Sequence, residues 1–287
     1  MRIGAVFPQT ELGGDASAVR AYGQSVEELG FSHLLAYDHV VGADPAVHTG
    51  WAGPYDVHTT FHEPLVMFGY LAAVTTTLEL VTGVVILPQR QTVLVAKQAA
   101  EVDLLSQGRL RLGIGLGWNA VEYEVLGENF TNRGKRSEEQ VELLRRLWTE
   151  QTVTFTGRHH QVTGAGIAPL PIQRPIPVWF GAASRPALER AGREADGWFP
   201  MMSPGQRLDE AREIVARSAD AAGRDPSAIG MEGRVDWRGD RRHVADELAQ
   251  WAAAGATHVS VNTMGAGLRT VDDHLSALQA VAKGSGL

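Results

Sequence analysis

Arg2-Ile3-Gly4-Ala5-Val6-Phe7-Pro8-Gln9-Thr10-Glu11-Leu12-Gly13-Gly14 opens the chain, and its second half decides the fold class. Arg2 to Phe7 is a short run of strand type. A dinucleotide-binding sheet carries a G-x-G-x-x-G turn directly after its first strand. Pro8 to Gly14 do not supply that turn. A helix face follows, with Val19, Tyr22, Val26 and Leu29 at spacings of three and four, Asp15 to cap it and Gly30 to end it.

The same alternation continues to the end of the chain. Further strand-type runs lie at Ser32–Ala36, Leu78–Ile86, Leu110–Gly115, Ile176–Phe180, Gly197–Phe199, Ile229–Val235 and His258–Val261. Helical patterns lie at Phe61–Thr75, Thr92–Leu105 and Leu208–Ala222, and at Ser137–Trp148 with Ser137 and Gln140 as a capping pair. Ser184 opens another helix with Pro186 in its first turn. The last two helices are marked by Val244, Leu248 and Trp251, and by Val271, Leu275, Leu278 and Val281. Eight strands, each followed by a helix, imply a parallel sheet with helices outside it. For 287 residues this favours one closed (β/α)8 TIM barrel over an open doubly wound sheet. Residues 1–287 are read as a single domain with two insertion loops. Val40–Thr60 follows strand two, and Gln151–Pro175 precedes strand five. The first leaves a strand's C-terminal end, where barrel active sites sit. The second either crosses the top or decorates the bottom.

Composition narrows the function. The chain has 26 Lys+Arg against 33 Asp+Glu, a formal net charge of -7, and no cysteine. The acidic balance argues against a general nucleic-acid binder. The missing cysteines remove disulfides, thiolate metal sites and thiol nucleophiles. The N-terminal apolar run is too short for a signal peptide, and stretches such as Leu65 to Val74 fall short of the roughly 18–20 residues of a membrane span. The expected location is the cytoplasm.

Four groups of residues could carry chemistry. Asp38-His39 ends strand two, and a carboxylate beside an imidazole at a barrel mouth can position a proton donor; loop capping and packing would explain them equally. Gly113, Gly115 and Gly117, followed by Trp118, leave a wall without side chains against which a planar ring could lie; close packing of the barrel interior is the alternative. Phe180-Gly181-Ala182-Ala183-Ser184-Arg185 is a strand exit into a helix N-terminus, either an anion site or an ordinary cap. His58, His62 and Glu63 do not match the helical zinc pattern, Glu63 and Pro64 read as a helix start, and no metal is expected. His159-His160 reads as a solvated pair.

Taken together and in order, these residues resemble the bacterial luciferase-like monooxygenase superfamily, and within it the deazaflavin (coenzyme F420)-dependent oxidoreductases. The resemblance is carried by Tyr37-Asp38-His39, Phe61-His62-Glu63-Pro64-Leu65, Leu71-Ala72-Ala73-Val74-Thr75 and Thr82-Gly83-Val84-Val85-Ile86-Leu87-Pro88. It continues through Lys97 to Arg109, Gly113 to Trp118, Phe180 to Ser184 and Ala195-Asp196-Gly197-Trp198. It implies a (β/α)8 barrel with a flavin-type ring in its mouth. Asp38 would contact the polar edge of the ring and His39 its reacting face. Gly83, Val84 and Val85 would support the ring from behind, with a non-prolyl cis peptide at Gly83–Val84 or Val84–Val85. Gly181, Ala182, Ala183, Ser184 and Arg185 would hold the cofactor phosphate, and Gly115, Gly117 and Trp118 would line the neighbouring wall. Trp118 stands where some members carry an acid, and Lys97 and Lys135 lie in helical regions. The implied substrate is therefore a small neutral or apolar molecule rather than a sugar phosphate, with Trp51, Tyr55, His58 and Phe155 around it. The alternatives are an FMN-dependent monooxygenase using oxygen and a non-catalytic flavin-binding barrel. The family also implies a homodimer, for which apolar residues of Phe61–Thr75 and Thr92–Leu105 are candidates; core packing would explain those residues equally well.

Overall fold

The computed structural model describes residues 1–285. The elements in chain order are β1 Arg2–Val6, α1 Ala16–Glu28, β2 His33–Ala36, α2 Pro64–Val74, β3 Glu79–Thr82, β4 Val85–Ile86, α3 Thr92–Leu105, β5 Leu110–Gly115, α4 Ala120–Val125 and α5 Arg133–Thr149. They continue with β6 Val153–Thr156, β7 Gln161–Ala165, β8 Val178–Ala182, α6 Arg185–Glu194, β9 Gly197–Pro200, α7 Gln206–Ala221, β10 Gly230–Asp236, α8 Arg241–Ala253, β11 His258–Asn262 and α9 Val271–Ser285. Parallel pairing runs β3-β2-β1-β11-β10-β9-β8-β5, and β5 pairs back to β3. The ring is a closed eight-stranded parallel barrel, a TIM barrel, with β4 as an extra short strand beside β5.

Strand alternation sorts the side chains into two cores. Outward residues such as Leu34, Leu80, Leu112, Phe180 and Val259 pack beneath the helices. Inward residues Val6, Leu35, Val81, Trp179 and Phe199 form a separate apolar plug in the bore. Below it lies a charged layer. Glu232 receives Arg111 Nη1 at 2.5 Å, His33 Nε2 stands 2.9 Å away, and Ser260 Oγ donates at 2.5 Å. Arg111 reaches Glu79 at 3.2 Å and lies over the Trp179 ring at 4.3 Å. Burial alone would raise the Glu232 carboxyl, but Arg111 and His33 outweigh it and hold it far below the carboxylate range.

The helix signals are the expected ones where capping is local. Asp15 Oδ1 accepts from Ser17 N at 2.8 Å, and Gly30 follows the last turn at φ +87°, a left-handed conformation glycine adopts without penalty. Glu63 caps α2, its Oε2 accepting from Val66 N at 2.6 Å.

Five features differ from the sequence reading. The run Leu78–Ile86 is not one strand: it breaks between β3 and β4 at a cis peptide bond, Gly83–Val84, the first of the two positions that the family resemblance implied. Helix α5 starts at Arg133 rather than Ser137, because Asn129 caps a short turn at Phe130–Asn132 that feeds straight into it. Gln140 is no capping partner; its Nε2 donates to Leu87 O, Arg90 O and Thr92 Oγ1 at 3.2, 3.1 and 2.9 Å. The segment 151–175 contains an antiparallel hairpin, β6–β7, packed on α5. At its tip, His160 is not solvated: Nδ1 meets Glu139 at 2.6 Å and Nε2 meets Thr92 Oγ1 at 2.7 Å. Among the described residues no helix is long and apolar enough to cross a membrane.

Candidate active site

The C-terminal ends of the barrel strands enclose a cavity of about 310 Å³, at the small end of the size range of ligand sites. Its wall includes Tyr37, Gly83, Val84, Gly181, Met201, Arg234 and Asp236. Val84, set free from the ladder by the break after β3, lies between β5 and β8. A Cβ on Gly115 would overlap Val84 Cγ2, and one on Gly181 would touch its Cγ1 at 3.4 Å. Backbone therefore faces Val84 on both sides. Across the cavity Arg234 Nη1 donates to Tyr37 Oη at 3.4 Å, and Arg234 Nε pairs with Asp236 at 3.2 Å. The Tyr37 hydroxyl is pushed up by burial, against the opposing pull of Arg234.

Asp38 is buried and fully engaged. Oδ1 binds Arg90 Nη2 at 2.7 Å and Oδ2 accepts from Ile86 N at 3.0 Å. Burial raises its carboxyl despite Arg90. Arg90 also holds Glu63 at 2.8 Å. The pair ties the exit of β2 to β4 and to the cap of α2.

His39 points away from Asp38. Its ring meets Phe61, Tyr55 and Trp118 edge-on, with centroids 4.9, 5.1 and 5.5 Å away. Its Nδ1 stands 3.4 Å from Glu122 Oε1. His39, Tyr55 and Phe61 line a second pocket of about 340 Å³ under the loop that follows β2. Trp51 and Trp118 form the outer edge of this region, 5.6 Å apart, with Trp51 Nε1 donating to Tyr55 O at 3.1 Å. Gly53 lies against both indoles, leaving no room for a Cβ.

At the exit of β8, Gly181, Ala182 and Ala183 run into α6. Ser184 is its N-cap residue but makes no side-chain cap bond. Arg185 is 78% exposed and paired with Glu189 at 2.8 Å. Gly117 adopts φ +67°, with Ile86 packed where a Cβ would stand.

Of the expected site residues, Gly83, Val84 and Gly181 line the mouth cavity, while His39 and Tyr55 line the loop pocket with Trp51 and Trp118 at its edge. Asp38 and Val85 are buried, and Gly115 and Gly117 are packed against Val84 and Ile86. The structure sets Phe155 elsewhere, in β6, buried beneath Arg146 on the outer side of α5. His58 is exposed, and its backbone N–H donates to Asp56. Sequence reasoning passed over Arg90, Glu122 and Arg234. Glu122 stands three residues after Asn119, where an acid reads as a capping partner. Arg234 and Asp236 alternate along β10, a period-two signal that marks inward-facing residues.

The luciferase-like monooxygenase profile matches residues 1–277. The chain belongs to the luciferase-like monooxygenase family. An uncharacterized relative from Mycobacterium tuberculosis is 31% identical over 256 residues, covering 87% of this chain and 86% of that one. An FMNH2-dependent dimethylsulfone monooxygenase from Pseudomonas fluorescens is 30% identical over 194 residues, 66% of this chain and 52% of its own. An F420-dependent glucose-6-phosphate dehydrogenase from Amycolatopsis mediterranei is 29% identical over 228 residues, 77% and 65%. The solved structure of an F420-dependent secondary alcohol dehydrogenase with an F420-acetone adduct superposes with a TM-score of 0.79 at 17% identity, covering 98% of each chain, which speaks to the shared fold. As a luciferase-like family member, the protein is an enzyme of the oxidoreductase and monooxygenase group.

Proposed function

We propose that this enzyme is a coenzyme F420-dependent oxidoreductase that moves a hydride between the deazaflavin and a small neutral or apolar substrate. The observation that carries the reading is Val84, wedged between Gly115 and Gly181 at the rim of the mouth cavity. The two glycines let Val84 seat close against the strands, so that Val84 itself, at the cavity wall, can back a planar ring. The deazaflavin-dependent relative aligns over 77% of the chain, against 66% for the flavin-dependent one.

When bound, the deazaflavin supplies the two-electron chemistry, and the protein supplies orientation and electrostatics. Gly83 and Val84, at the cavity wall, would support the ring, with Val85 buried behind them. Gly115 and Gly117, packed against Val84 and Ile86, would support the adjoining wall, with Trp118 further out. Gly181, Ala182, Ala183 and Ser184, at the start of α6, would hold the phosphate through their N–H groups, and Arg185 would add a positive charge there. Asp38, locked by Arg90, keeps the β2 exit in place, and His39 handles the proton. The substrate side is aromatic, with Tyr55, Phe61 and Trp118 around the imidazole. Lys97 is engaged with Glu101 and the Ala168 carbonyl, so it brings no free cation for a sugar phosphate.

Titration of the purified protein with F420 and with FMN, followed by fluorescence, tests the reading. Submicromolar FMN binding with no F420 binding would replace it with a flavin-dependent monooxygenase, a reading that the FMNH2-dependent relative supports. Single-turnover reduction distinguishes either enzyme from a barrel that only stores cofactor. We further propose a homodimer through α2 and α3, which expose Val66, Tyr70, Val93 and Leu94. Sedimentation of the wild type and of Val66→Glu with Leu94→Glu checks it; a monomeric wild type rejects it.

A further inference from the structure

Glu122 has no role in the function argued so far, and its surroundings are unusual for a carboxylate. It sits in the first turn of α4 with only 1% of its surface exposed. Asn119 caps that turn alone, its Oδ1 accepting from Val121 N at 3.1 Å and Glu122 N at 3.3 Å. The Glu122 carboxylate turns away from the helix and reaches the exit of β2. Oε1 accepts from Val40 N at 2.6 Å and from Val41 N at 3.2 Å, and Oε2 accepts from Gln89 Nε2 at 2.9 Å. Neither Arg nor Lys pairs with it among the described residues; its charge is met by donors alone, plus His39 Nδ1 at 3.4 Å. Burial pushes the carboxyl up, but the His39, Val40 and Gln89 hydrogen bonds outweigh that and hold it below its ordinary value. It therefore stays ionised at neutral pH.

An ionised carboxylate facing one ring nitrogen selects the tautomer of a neutral imidazole, because the nitrogen that faces it must carry the proton. Here that nitrogen is Nδ1. Turning the ring over would present a carbon to Glu122 and strip the carboxylate of a donor. Phe61, Tyr55 and Trp118 pack edge-on around the ring and hold its plane. His39 Nε2 makes no hydrogen bond to any described residue, and the ring borders the pocket shared with Tyr55 and Phe61.

We propose that Glu122 is a positioning residue for His39, holding the imidazole as the Nδ1–H tautomer and leaving Nε2 as a hydrogen-bond acceptor towards the loop pocket. The ligand group matched to that nitrogen is a donor, a hydroxyl or N–H, rather than a bare carbonyl. That His39 meets the substrate rests on the function proposed above; the tautomer does not.

Two-bond nitrogen–proton correlation spectra of histidine-labelled protein, recorded without cofactor near pH 8, read the tautomer directly. His39→Gln assigns the signal among the ten histidines. The wild type is expected to show the Nδ1–H form. Glu122→Gln keeps it, because the amide oxygen still accepts, whereas Glu122→Ala moves His39 to the Nε2–H form that an unconstrained histidine favours. A wild-type His39 in the Nε2–H form overturns the proposal, and so does a Glu122→Ala spectrum identical to the wild type. If the alanine variant does not fold, the wild-type and glutamine spectra decide. With no cofactor present, the outcome is independent of whether F420 or FMN is used.

Discussion

The two ends of the barrel use the same residue types in opposite ways. At the floor, Glu232 takes its partners Arg111, His33 and Ser260 from strands β5, β2 and β11. At the mouth, Asp38 and Glu122 take theirs from strand exits and loops: Arg90, the Ile86 N–H, the Val40 and Val41 N–H groups, and Gln89. The floor network draws its partners from the strands themselves, with Arg111 Nε left over. The mouth network leaves Gln89 Oε1 and Arg90 Nε without a partner among the described residues, and His39 Nε2 with them. Such barrels keep function at the top and stability at the bottom, and the contrast predicts that the floor carboxylates carry stability and those at the mouth carry placement, although the mouth cavity reaches down to Glu232 and Ser260.

The sharpest way to break this contrast is Arg111→Ala. It leaves Glu232 buried without its cation and is expected to cost about 3–5 kcal/mol in urea unfolding. A loss under about 1 kcal/mol would mean that the floor is not what holds the barrel. His39→Ala should do the reverse: turnover falls about 10²–10⁴-fold, while cofactor affinity and unfolding free energy stay close to wild type. Gly115→Ala tests the backing of the ring. Its methyl overlaps Val84, so cofactor affinity should fall about tenfold, within the roughly 1–3 kcal/mol typical of overpacking; unchanged affinity would detach Val84 from the ring.

A smaller effect tests the floor by pH. Burial, with Arg111 nearby, lowers His258 to about 3 from 6.5. The unfolded chain therefore takes up this proton first, and stability declines as pH falls from about 6.5 towards about 3. The slope is up to about 1 kcal/mol per pH unit after allowing for partial exposure. Unfolding of His258→Gln at several pH values should show a flatter decline. The smallest effect is expected for Arg185→Ala. Its exposed pair with Glu189 is worth about 0.3–0.5 kcal/mol, and its loss should lower cofactor affinity less than tenfold.

The barrel was legible because its signals are local. Strand runs, Asp15, Gly30 and Ser184 announce themselves within a few residues, and the missing glycine turn after Phe7 separates the two parallel-sheet folds. The break at Gly83–Val84 was invisible to periodicity, since both sides of it are apolar; only the family resemblance pointed there. The hairpin was hidden because Val153–Thr156 and Gln161–Ala165 are short and lie among prolines and glycines. Asp38 and His39 could be picked out as site residues, but their partners could not. Arg90 lies 52 positions from Asp38 and Glu122 lies 82 from Val40, and no spacing rule spans such distances. Phe155 drew attention as an aromatic in an insertion, yet its hairpin lies along the flank of the barrel.

Glu122 holds the start of the loop through the main-chain N–H groups of Val40 and Val41, not through their side chains. A grip on main chain is blind to sequence. The first step of the loop out of the barrel is set by these two N–H groups, whatever side chains their residues carry. Val40 and Val41 can therefore change side chain without moving the point where the loop leaves the barrel, whereas Tyr55, which packs on the imidazole, has no such freedom.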